Sequence, residues 1–390
     1  MGKCLTWNGR LARASIRTLR TGEPRVLTRE IMSHRIFNFS AGPAMLPTEV
    51  LEKSARALVD YEGKGFGIAE VSHRGKEFDA VVDEAMSRCK KLLNLGDTHD
   101  VIFLQGGATQ LFTLIPMNFL HTNADYLIGG EWSNKSVSFG KSMGNINVVA
   151  SSESSGFDHS PAPDEWKMSA DADYFHVCSN ETVHGHRLPS WPKHPNLIVD
   201  ASSEFLSRPH PAGECAMVYG GAQKNLGPSG VVLCIIRRDM YSKQKKTPSK
   251  LWSFKDQAEN KSMINTPPTF GVYILLEIFR WLEAQGGLEA IEKRNATKAK
   301  LLYDAIDNSN GFYKGTVSKK EQRSHMNVTY RLPSEQLTDE FVKTATKNQM
   351  IGLKGYRTVG GIRASIYNAM PVEGCQSLAS FMKDFASKKS

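Results

Sequence analysis

The sequence predicts an α/β protein, because short apolar runs bounded by Gly, Pro and Ser alternate with longer helical segments. Three such runs lie close together at 197–200, 216–219 and 231–236. Runs of this length that are rich in β-branched residues are typical of strands buried on both faces of a sheet. At 390 residues the chain is long enough for two domains with a substantial core.

The elements before these runs follow the same alternation. An apolar segment at 37–47 is broken by Gly42-Pro43 and leads into a helix at 49–61, and a second helix is expected at 78–95. A strand at 101–105 is followed by the Gly106-Gly107 turn and an apolar helix at 110–120. Further strands are expected at 124–128, which ends in Gly129-Gly130, and from Tyr174 onward. Paired glycines after a strand indicate a tight turn.

The elements after residue 260 indicate a second domain. Pro267-Pro268 gives a rigid start to a helix at 271–285. Gly286-Gly287 then marks the passage to an amphipathic helix at 288–307 and short strands around 326–330. We therefore expect a leader at 1–31, an N-terminal segment at 32–48, a large domain at 49–286 and a small domain at 287–390.

Charge and composition exclude several classes of protein. The net charge is +9, but seven basic and only two acidic residues lie within 1–31, so the rest of the chain is nearly balanced. No basic run is interleaved with aromatic residues, which argues against a nucleic-acid partner. No apolar stretch reaches the length of a membrane span. The six cysteines are widely spaced and are expected to be reduced thiols.

The leader has two interpretations. Wound as a helix, it places Arg10, Arg13, Arg17 and Arg20 on one side and apolar residues on the other, and it has no acid before Glu23. This pattern is typical of a transit peptide to an organelle such as a mitochondrion or plastid. Alternatively, Met32 is the working start, and the protein is cytoplasmic.

Lys224 is the first candidate for chemistry, because it lies in a glycine-rich turn between two predicted core strands. Loss of hydration favours a neutral amine, which can condense with an aldehyde. Asp200, at the carboxyl end of another strand, would point into the crevice where open α/β sheets bind ligands. The alternatives are a solvated loop for Lys224 and a helix cap for Asp200. An amine and a carboxylate together are what pyridoxal phosphate requires.

Two segments carry a family resemblance: Asp200-Ala201-Ser202-Ser203 and Gly221-Ala222-Gln223-Lys224-Asn225-Leu226-Gly227-Pro228. They resemble the core of phosphoserine aminotransferases, which are class V pyridoxal phosphate enzymes, and the likeness extends from about Ile36 to the C-terminus. The resemblance implies a fold-type I PLP-dependent transferase, with a mostly parallel seven-stranded sheet in the large domain and a smaller C-terminal α+β domain. It also implies ping-pong transfer of an amino group from glutamate to 3-phosphohydroxypyruvate, a step of serine biosynthesis.

The resemblance assigns roles to residues in several separated blocks. Lys224 is the catalytic residue, and no metal is expected. The residues expected to hold the cofactor are Ala108, Thr109, Trp132, Thr182, Asp200, Gln223, Lys224, Asn265 and Thr266. The residues expected to hold the substrates are His73, Arg74, Tyr356, Arg357 and Arg363.

Each block also has an ordinary structural interpretation. His73 and Arg74 could form a solvated turn, the Gly-Gly turn before Ala108 occurs in many α/β folds, and Trp132 could be core packing. Arg363 could form a structural salt bridge instead of binding a substrate carboxylate.

Three positions depart from the family pattern: Ala41 stands where a serine is common, Thr109 where some members have arginine, and Tyr356 where many have histidine. Tyrosine can donate a hydrogen bond but brings no positive charge.

Asn265 and Thr266 belong to a loop that, in the resembled family, crosses to the neighbouring subunit and binds its cofactor phosphate. The resemblance therefore implies a homodimer with shared sites that takes small anionic substrates. Two rival functions are another class V enzyme, such as a serine:glyoxylate-type aminotransferase, and an inactive dimer with the same fold. The cations in two separated blocks disfavour the first rival, and the presence of both Asp200 and Lys224 disfavours the second.

Overall fold

The computed structural model of this protein describes residues 35–389. The predictions for the basic leader at 1–31, with its two alternative interpretations, and for a start at Met32 lie outside the described residues.

A seven-stranded sheet forms the centre of the described structure, in the order β2-β10-β9-β8-β5-β3-β4. Strand β10 runs antiparallel to both of its neighbours, and the other six strands run parallel to one another. The mostly parallel seven-stranded sheet is therefore confirmed. The strands of the described chain are β1 Phe37–Asn38, β2 His99–Gln105, β3 Asn123–Ile128, β4 Asn145–Ser151, β5 Phe175–Cys178, β6 Asn180–Glu181, β7 His186–Arg187, β8 Leu197–Asp200, β9 Met217–Gly221, β10 Val231–Arg237, β11 Lys314–Gly315, β12 Asn327–Arg331, β13 Met350–Ile351 and β14 Ile362–Ser365.

Five of the α-helices of residues 35–389 were predicted from the sequence, and these five lie close to the predicted positions. The α-helices of the described chain are α1 Thr48–Val59, α2 Lys76–Leu92, α3 Leu111–Phe119, α4 Glu131–Lys141, α5 Phe254–Glu259, α6 Thr269–Ala284, α7 Gly287–Asp307, α8 Glu335–Lys347 and α9 Val372–Lys389. Each of the five predicted helices is confirmed to within three residues at either end. The helix predicted at 78–95 stops at Leu92, and Asn94 then adopts a left-handed φ of 50°, which does not continue a right-handed helix.

The two faces of the large sheet are both buried, as the continuous apolar runs predicted. Along β10, Val231, Leu233 and Ile235 belong to one hydrophobic cluster, whereas Val232, Cys234 and Ile236 belong to another. Successive side chains of a strand point to opposite faces, so one run supplies two core layers.

A third hydrophobic cluster is built mainly from residues after Ala299 and includes Phe39. It surrounds a small antiparallel sheet in the order β11-β12-β14. The N-terminal strand β1 also joins this part, because it pairs with β13. Helix α7 contributes Leu288 to the first cluster and Leu302 to the third, and the domain boundary at 286–287 stays a prediction.

The topology brings five loops to one edge of the large sheet. Strands β2, β3, β5, β8 and β9 are parallel, so their carboxyl ends meet there. This edge is where open α/β sheets bind ligands. Within residues 35–389, no helix has the length and apolar character that crossing a bilayer requires.

Candidate active site

Lys224 lies in the loop between β9 and β10, at the carboxyl edge of the large sheet. Its Nζ donates a hydrogen bond of 2.7 Å to Thr182 Oγ1. The same atom lies 5.0 Å from the centroid of the Trp132 ring. Loops that follow three different strands thus meet at this amine, and a solvated surface loop is the wrong description of Lys224.

The environment of Lys224 favours its neutral form. Burial lowers the pKa of its amine, and this effect exceeds the opposing attraction of Asp200, Cys178 and Glu181. Arg363 adds to the lowering, because its positive charge disfavours a second cation nearby. The structure therefore supports a nucleophilic lysine.

Asp200 ends strand β8 and is only 5% exposed. Its carboxylate accepts hydrogen bonds from the backbone N–H of Ser202 at 3.0 Å and from the Ser202 hydroxyl at 2.6 Å. These local bonds form a turn and not a helix cap, so the capping alternative is wrong. Burial raises the pKa of Asp200, while the charge of Lys224 and the bonds from Ser202 lower it.

Glu181 lies at the edge of the site and was not among the site residues predicted from the sequence. It is 1% exposed, and its carboxylate accepts bonds from the backbone N–H groups of Trp132 at 3.2 Å and Ser133 at 3.0 Å. Ser133 Oγ donates a third bond of 2.6 Å. Burial raises the pKa of Glu181, and these three donors oppose that rise. A carboxylate at the first turn of α4 interacts favourably with the helix dipole, and it fixes the backbone of Trp132.

The glycine turn after β2 offers backbone donors. A short 3₁₀ helix at Ala108–Gln110 precedes α3 and lies against β9, whose end leads to Gln223 and Lys224. The turn is anchored by the bond from the Gly106 N–H to the Gly230 carbonyl at 3.0 Å. The first N–H groups of a helix have no intrahelical partner, and glycines allow an anion to approach them.

Together these residues fit pyridoxal phosphate. The site has an amine, a carboxylate for the ring nitrogen, an aromatic face and a turn able to hold a phosphate. Two buried polar atoms at the same edge, Trp132 Nε1 and Gln223 Oε1, lack a hydrogen-bond partner within residues 35–389. Unpartnered buried polar atoms are costly, and they point to a ligand that completes them.

Arg363 lies on β14 in the small sheet, next to Thr329 of β12. Its Nε is buried without a hydrogen-bond partner, and within residues 35–389 no carboxylate lies within 4.0 Å of it. The structural salt bridge considered from the sequence is therefore wrong for the described chain. Burial lowers the pKa of Arg363, and the guanidinium lies 5.9 Å from the centroid of the Tyr356 ring.

Arg363 and Tyr356 line a cavity of about 290 Å³, together with His184 and Thr329. A larger surface depression of about 570 Å³ lies along 189–195 and contains none of the predicted site residues. The smaller cavity therefore contains two of the predicted substrate residues, whereas Lys224 and Asp200 line neither cavity.

Three further predicted substrate residues have side chains without a partner in the described chain. His73, Arg74 and Arg357 have no side-chain hydrogen bond or ion pair with any other residue in the range 35–389, and Arg74 and Arg357 are exposed. The structure does not link His73 or Arg74 to Lys224 or Arg363 within one chain.

Asn265 and Thr266 are also exposed. Asn265 Nδ2 donates a hydrogen bond of 3.1 Å to Gln105 Oε1, at the residue that precedes the glycine turn. The loop therefore lies beside the end of the site that is expected to hold the cofactor phosphate, and it faces outward.

The N-terminal segment lies over the lysine. A Cβ added at Gly42, where φ is +145°, would come within 3.2 Å of Lys224 Cγ. The Ala44 N–H donates to the Gln223 carbonyl at 3.0 Å. At Ala41, where the resembled family often has serine, the backbone carbonyl accepts a hydrogen bond from Tyr367 Oη at 2.8 Å. The segment thus contributes its backbone to the site.

Comparison with known proteins identifies one family. The model of the family "Aminotransferase class-V" matches residues 36–378. A phosphoserine aminotransferase of Lysinibacillus sphaericus is 45% identical over 361 residues, which is 92% of this chain and 99% of that protein. Phosphoserine aminotransferase 1, chloroplastic, of Arabidopsis thaliana is 44% identical over 91% of this chain and 83% of that protein.

Solved structures agree with the sequence comparison. The phosphoserine aminotransferase from Bacillus circulans subsp. alkalophilus superposes with a TM-score of 0.89 at 44% identity, over 91% of this chain and 99% of that one. The PLP-bound phosphoserine aminotransferase from Trichomonas vaginalis superposes with a TM-score of 0.85 at 38% identity, over 90% of this chain and 100% of that one.

The electrostatics of Lys224 can be tested in the cofactor-free protein. We expect Lys224 to be acetylated by acetic anhydride with a midpoint at lower pH than the surface lysines, because burial lowers its pKa. Asp200→Asn should shift this midpoint further down, since the Asp200 carboxylate stabilises the ammonium form. Mass spectrometry of labelled peptides across a pH series measures both midpoints.

Asp339→Asn is the matched control, because this carboxylate is 67% exposed and pairs with Lys354. It should leave the Lys224 midpoint unchanged. A Lys224 midpoint equal to that of the surface lysines, or unaffected by Asp200→Asn, would contradict this account of the site.

Proposed function

This chain belongs to the class-V aminotransferase family, and on that basis we propose that it transfers the amino group of L-glutamate to 3-phosphohydroxypyruvate, yielding O-phospho-L-serine and 2-oxoglutarate. The chain is a pyridoxal phosphate-dependent transaminase, and this reaction is the phosphoserine aminotransferase step of serine biosynthesis. The structural observation that carries the proposal is Arg363, a half-buried guanidinium without a carboxylate partner among residues 35–389, near an amine with a lowered pKa.

Pyridoxal phosphate, when bound, supplies an aldehyde for the amino group and a ring that accepts electrons from the substrate Cα. Asp200 would hold the ring nitrogen protonated, and Trp132 would fix the plane of the ring. Thr182 would donate a hydrogen bond near the phenolic oxygen. Ala108, Thr109 and Gln223 would hold the phosphate through backbone and amide groups.

Lys224 acts as the acid and base of the reaction. A neutral amine is needed to take the proton from the substrate Cα, and burial lowers the pKa of Lys224, which favours that form. With the cofactor bound, the same amine would be the group able to return this proton. Thr182, which now accepts a hydrogen bond from Lys224, keeps the amine aimed into the crevice.

The substrates are both anions, and free cations are available for them. Arg363 binds the α-carboxylate, preferably through two parallel hydrogen bonds. His73, Arg74 and Arg357 would bind the phosphate of one substrate or the side-chain carboxylate of the other. Tyr356, beneath Arg363, can donate a hydrogen bond but adds no charge.

A serine:glyoxylate-type aminotransferase is the second candidate. Glyoxylate has no phosphate, so it leaves His73, Arg74 and Arg357 without an anion. The exposed and unpaired state of Arg74 and Arg357 in the described chain favours the phosphorylated acceptor.

A homodimer with shared sites is part of this proposal. Asn265 and Thr266 are exposed on a loop held by two prolines, where they could reach a second subunit. Leu58, Val59 and Phe66 are exposed apolar residues, with Val59 79% exposed, in the segment that leads to His73 and Arg74. Exposed apolar surface of this kind is typical of a subunit interface.

Two destinations fit the chain. The basic pattern of residues 1–31 supports an organelle, and the Arabidopsis relative is chloroplastic by name. Translation from Met32 would give a cytoplasmic protein. Fusion of residues 1–34 to a fluorescent protein distinguishes the two.

The acceptor can be identified by assaying 3-phosphohydroxypyruvate and glyoxylate side by side with glutamate as donor. We expect kcat/KM to favour 3-phosphohydroxypyruvate by roughly 100-fold or more, since each hydrogen bond to a charged group contributes about 1.5–3 kcal/mol. Initial rates at varied glutamate should give the parallel double-reciprocal lines of a ping-pong reaction.

Arg357→Gln should raise KM for 3-phosphohydroxypyruvate roughly tenfold or more and leave kcat/KM for glyoxylate nearly unchanged. KM for glutamate should also rise, because its side-chain carboxylate would use the same cation. Lys354→Gln is its control, because Lys354 lies in the same loop and is paired with Asp339. Preference of the wild-type enzyme for glyoxylate would refute the proposed function.

The shared site can be tested with hybrid dimers of Lys224→Ala and the double variant Asn265→Ala/Thr266→Ala. If the loop acts across the interface, one of the two sites in the hybrid has both Lys224 and an intact loop, so activity returns to about half of wild type per dimer. Activity is measured after the two inactive or weakened proteins are unfolded together and refolded. If the loop serves the site of its own chain, the hybrid contains no intact site and no activity returns.

A further inference from the structure

Lys298, on helix α7, is fully buried in the smaller part of the molecule and lies outside the site described above. Its Nζ donates hydrogen bonds to the carbonyls of Ile366 at 2.9 Å, Tyr367 at 2.7 Å and Met370 at 3.1 Å. Within residues 35–389, no carboxylate lies within 4.0 Å of it. Among residues 35–389, the amine of Lys298 thus bonds to three backbone carbonyls and to no carboxylate. Burial lowers the pKa of Lys298 to about 7.

These carbonyls belong to the 366–370 turn, which we define as the five residues that follow β14. The turn is the direct continuation of the strand that carries Arg363. Since Lys298 holds its first, second and last residues, it restrains the whole turn. Buried charges are tolerated when all of their donors are satisfied, and here the satisfied donors fix a backbone.

The same turn reaches the loop that holds Lys224. The Asn368 N–H donates to Asn225 Oδ1 at 2.9 Å, and Asn225 is the neighbour of Lys224. Asn368 Nδ2 donates to the Leu206 carbonyl at 2.8 Å. Asn295, one turn before Lys298 on α7, donates from Nδ2 to Asn368 Oδ1 at 2.8 Å. Buried amide contacts therefore connect α7, the turn and the lysine loop.

The turn also holds the segment that lies over Lys224. Tyr367 Oη donates to the Ala41 carbonyl at 2.8 Å, and the next residue, Gly42, lies against Lys224. Tyr367 is 2% exposed, so this bond is shielded from water. The 366–370 turn thus contacts the strand of Arg363, the loop of Lys224 and the N-terminal segment.

We propose that Lys298 is a positioning residue that fixes the placement of Arg363 relative to Lys224, and so determines where a substrate carboxylate is held relative to the reacting amine. This inference rests on the proposed function only in assigning a carboxylate to Arg363. An apolar side chain of the same length could fill the space, but it would remove all three hydrogen bonds from α7 to the turn. The Tyr367 carbonyl would then keep only the bond from the Met370 N–H, which lies within the turn itself. A misplacement of about 1 Å in a site can cost roughly 100-fold in rate.

The test uses the full-length holoenzyme and the variant Lys298→Met, which keeps the length of the side chain and removes its donors. We expect kcat/KM for glutamate and for 3-phosphohydroxypyruvate to fall roughly 10- to 100-fold, through a higher KM and a lower kcat, because a misplaced Arg363 binds the carboxylate less well and presents the substrate less well to the amine. The dissociation constant of maleate, an unreactive dicarboxylate, should rise in parallel when it is measured by tryptophan fluorescence. The visible absorbance of the bound cofactor should stay unchanged, since its contacts are intact.

Hydrogen exchange provides a direct structural measurement. In Lys298→Met, peptides that cover 362–370 and 36–45 should exchange faster, because the turn anchors both segments. Lys300→Met is the matched control on the same helix, where the amine is exposed and pairs with Asp304. It should change neither exchange, nor KM, nor maleate affinity.

Unchanged KM values and maleate affinity in a folded Lys298→Met enzyme would overturn the inference, even if its thermal stability falls. If that variant does not fold, Lys298→Gln decides, because its amide has only two N–H donors and cannot serve all three carbonyls of the turn. Its KM and maleate dissociation constant should rise roughly tenfold, and values equal to wild type would overturn the inference. Maleate binding does not depend on which amino acceptor the enzyme uses. A wrong acceptor would therefore refute the proposed function, but the maleate measurement would still test the role of Lys298.

Discussion

The parallel direction of six strands in one sheet is the constraint on which the candidate site depends. Parallel strands end at the same edge, so residues that are far apart in the sequence meet there without any single long-range contact having to select them. Trp132 and Lys224 follow β3 and β9, and Asp200 is the last residue of β8. Thr182 follows β5 by way of the short strand β6. The antiparallel strand β10 returns the chain after the lysine loop and places the glycine turn of β2 beside it. The sheet therefore supplies both the amine and the donors for a phosphate.

The ionisable groups of the site are buried, and burial disfavours their charged forms. Burial lowers the pKa of Lys224 and Arg363 and raises the pKa of Asp200 and Glu181. Hydrogen bonds offset part of the cost of burying the two carboxylates. Ser202 donates to Asp200, and Ser133 donates to Glu181. Neither Lys224 nor Arg363 has a bond to a carboxylate within residues 35–389. An anionic substrate and an aldehyde cofactor would each relieve one of these two basic groups.

The large sheet and the small sheet must keep a fixed relative position for this chemistry. The amine is carried by the large sheet, whereas Arg363 is carried by the small sheet, and each has its own hydrophobic cluster. Apolar packing is not directional, so it does not by itself set the relation between two side chains to a fraction of an ångström. Buried hydrogen bonds are directional, and those of Asn368 run between these two parts of the molecule. The bonds of Lys298 hold the turn that carries Asn368. A network of buried hydrogen bonds thus lies where the proposed chemistry needs a defined distance between Arg363 and Lys224.

The sequence alone determined the strands of the large sheet other than β4, because their apolar runs are long enough to be buried on both faces, and it determined which residues follow them. It therefore identified Lys224 and Asp200 from their positions at strand ends, and the family resemblance added the remaining site residues. Only the tertiary structure decided that Arg363 lacks a carboxylate partner within residues 35–389, that Glu181 fixes the backbone of Trp132, and that Lys298 holds the 366–370 turn. Each of these depends on contacts between residues that are about 50 or more positions apart in the chain. Local patterns report the periodicity of one element, whereas the partner of a buried polar group is set by how distant elements pack.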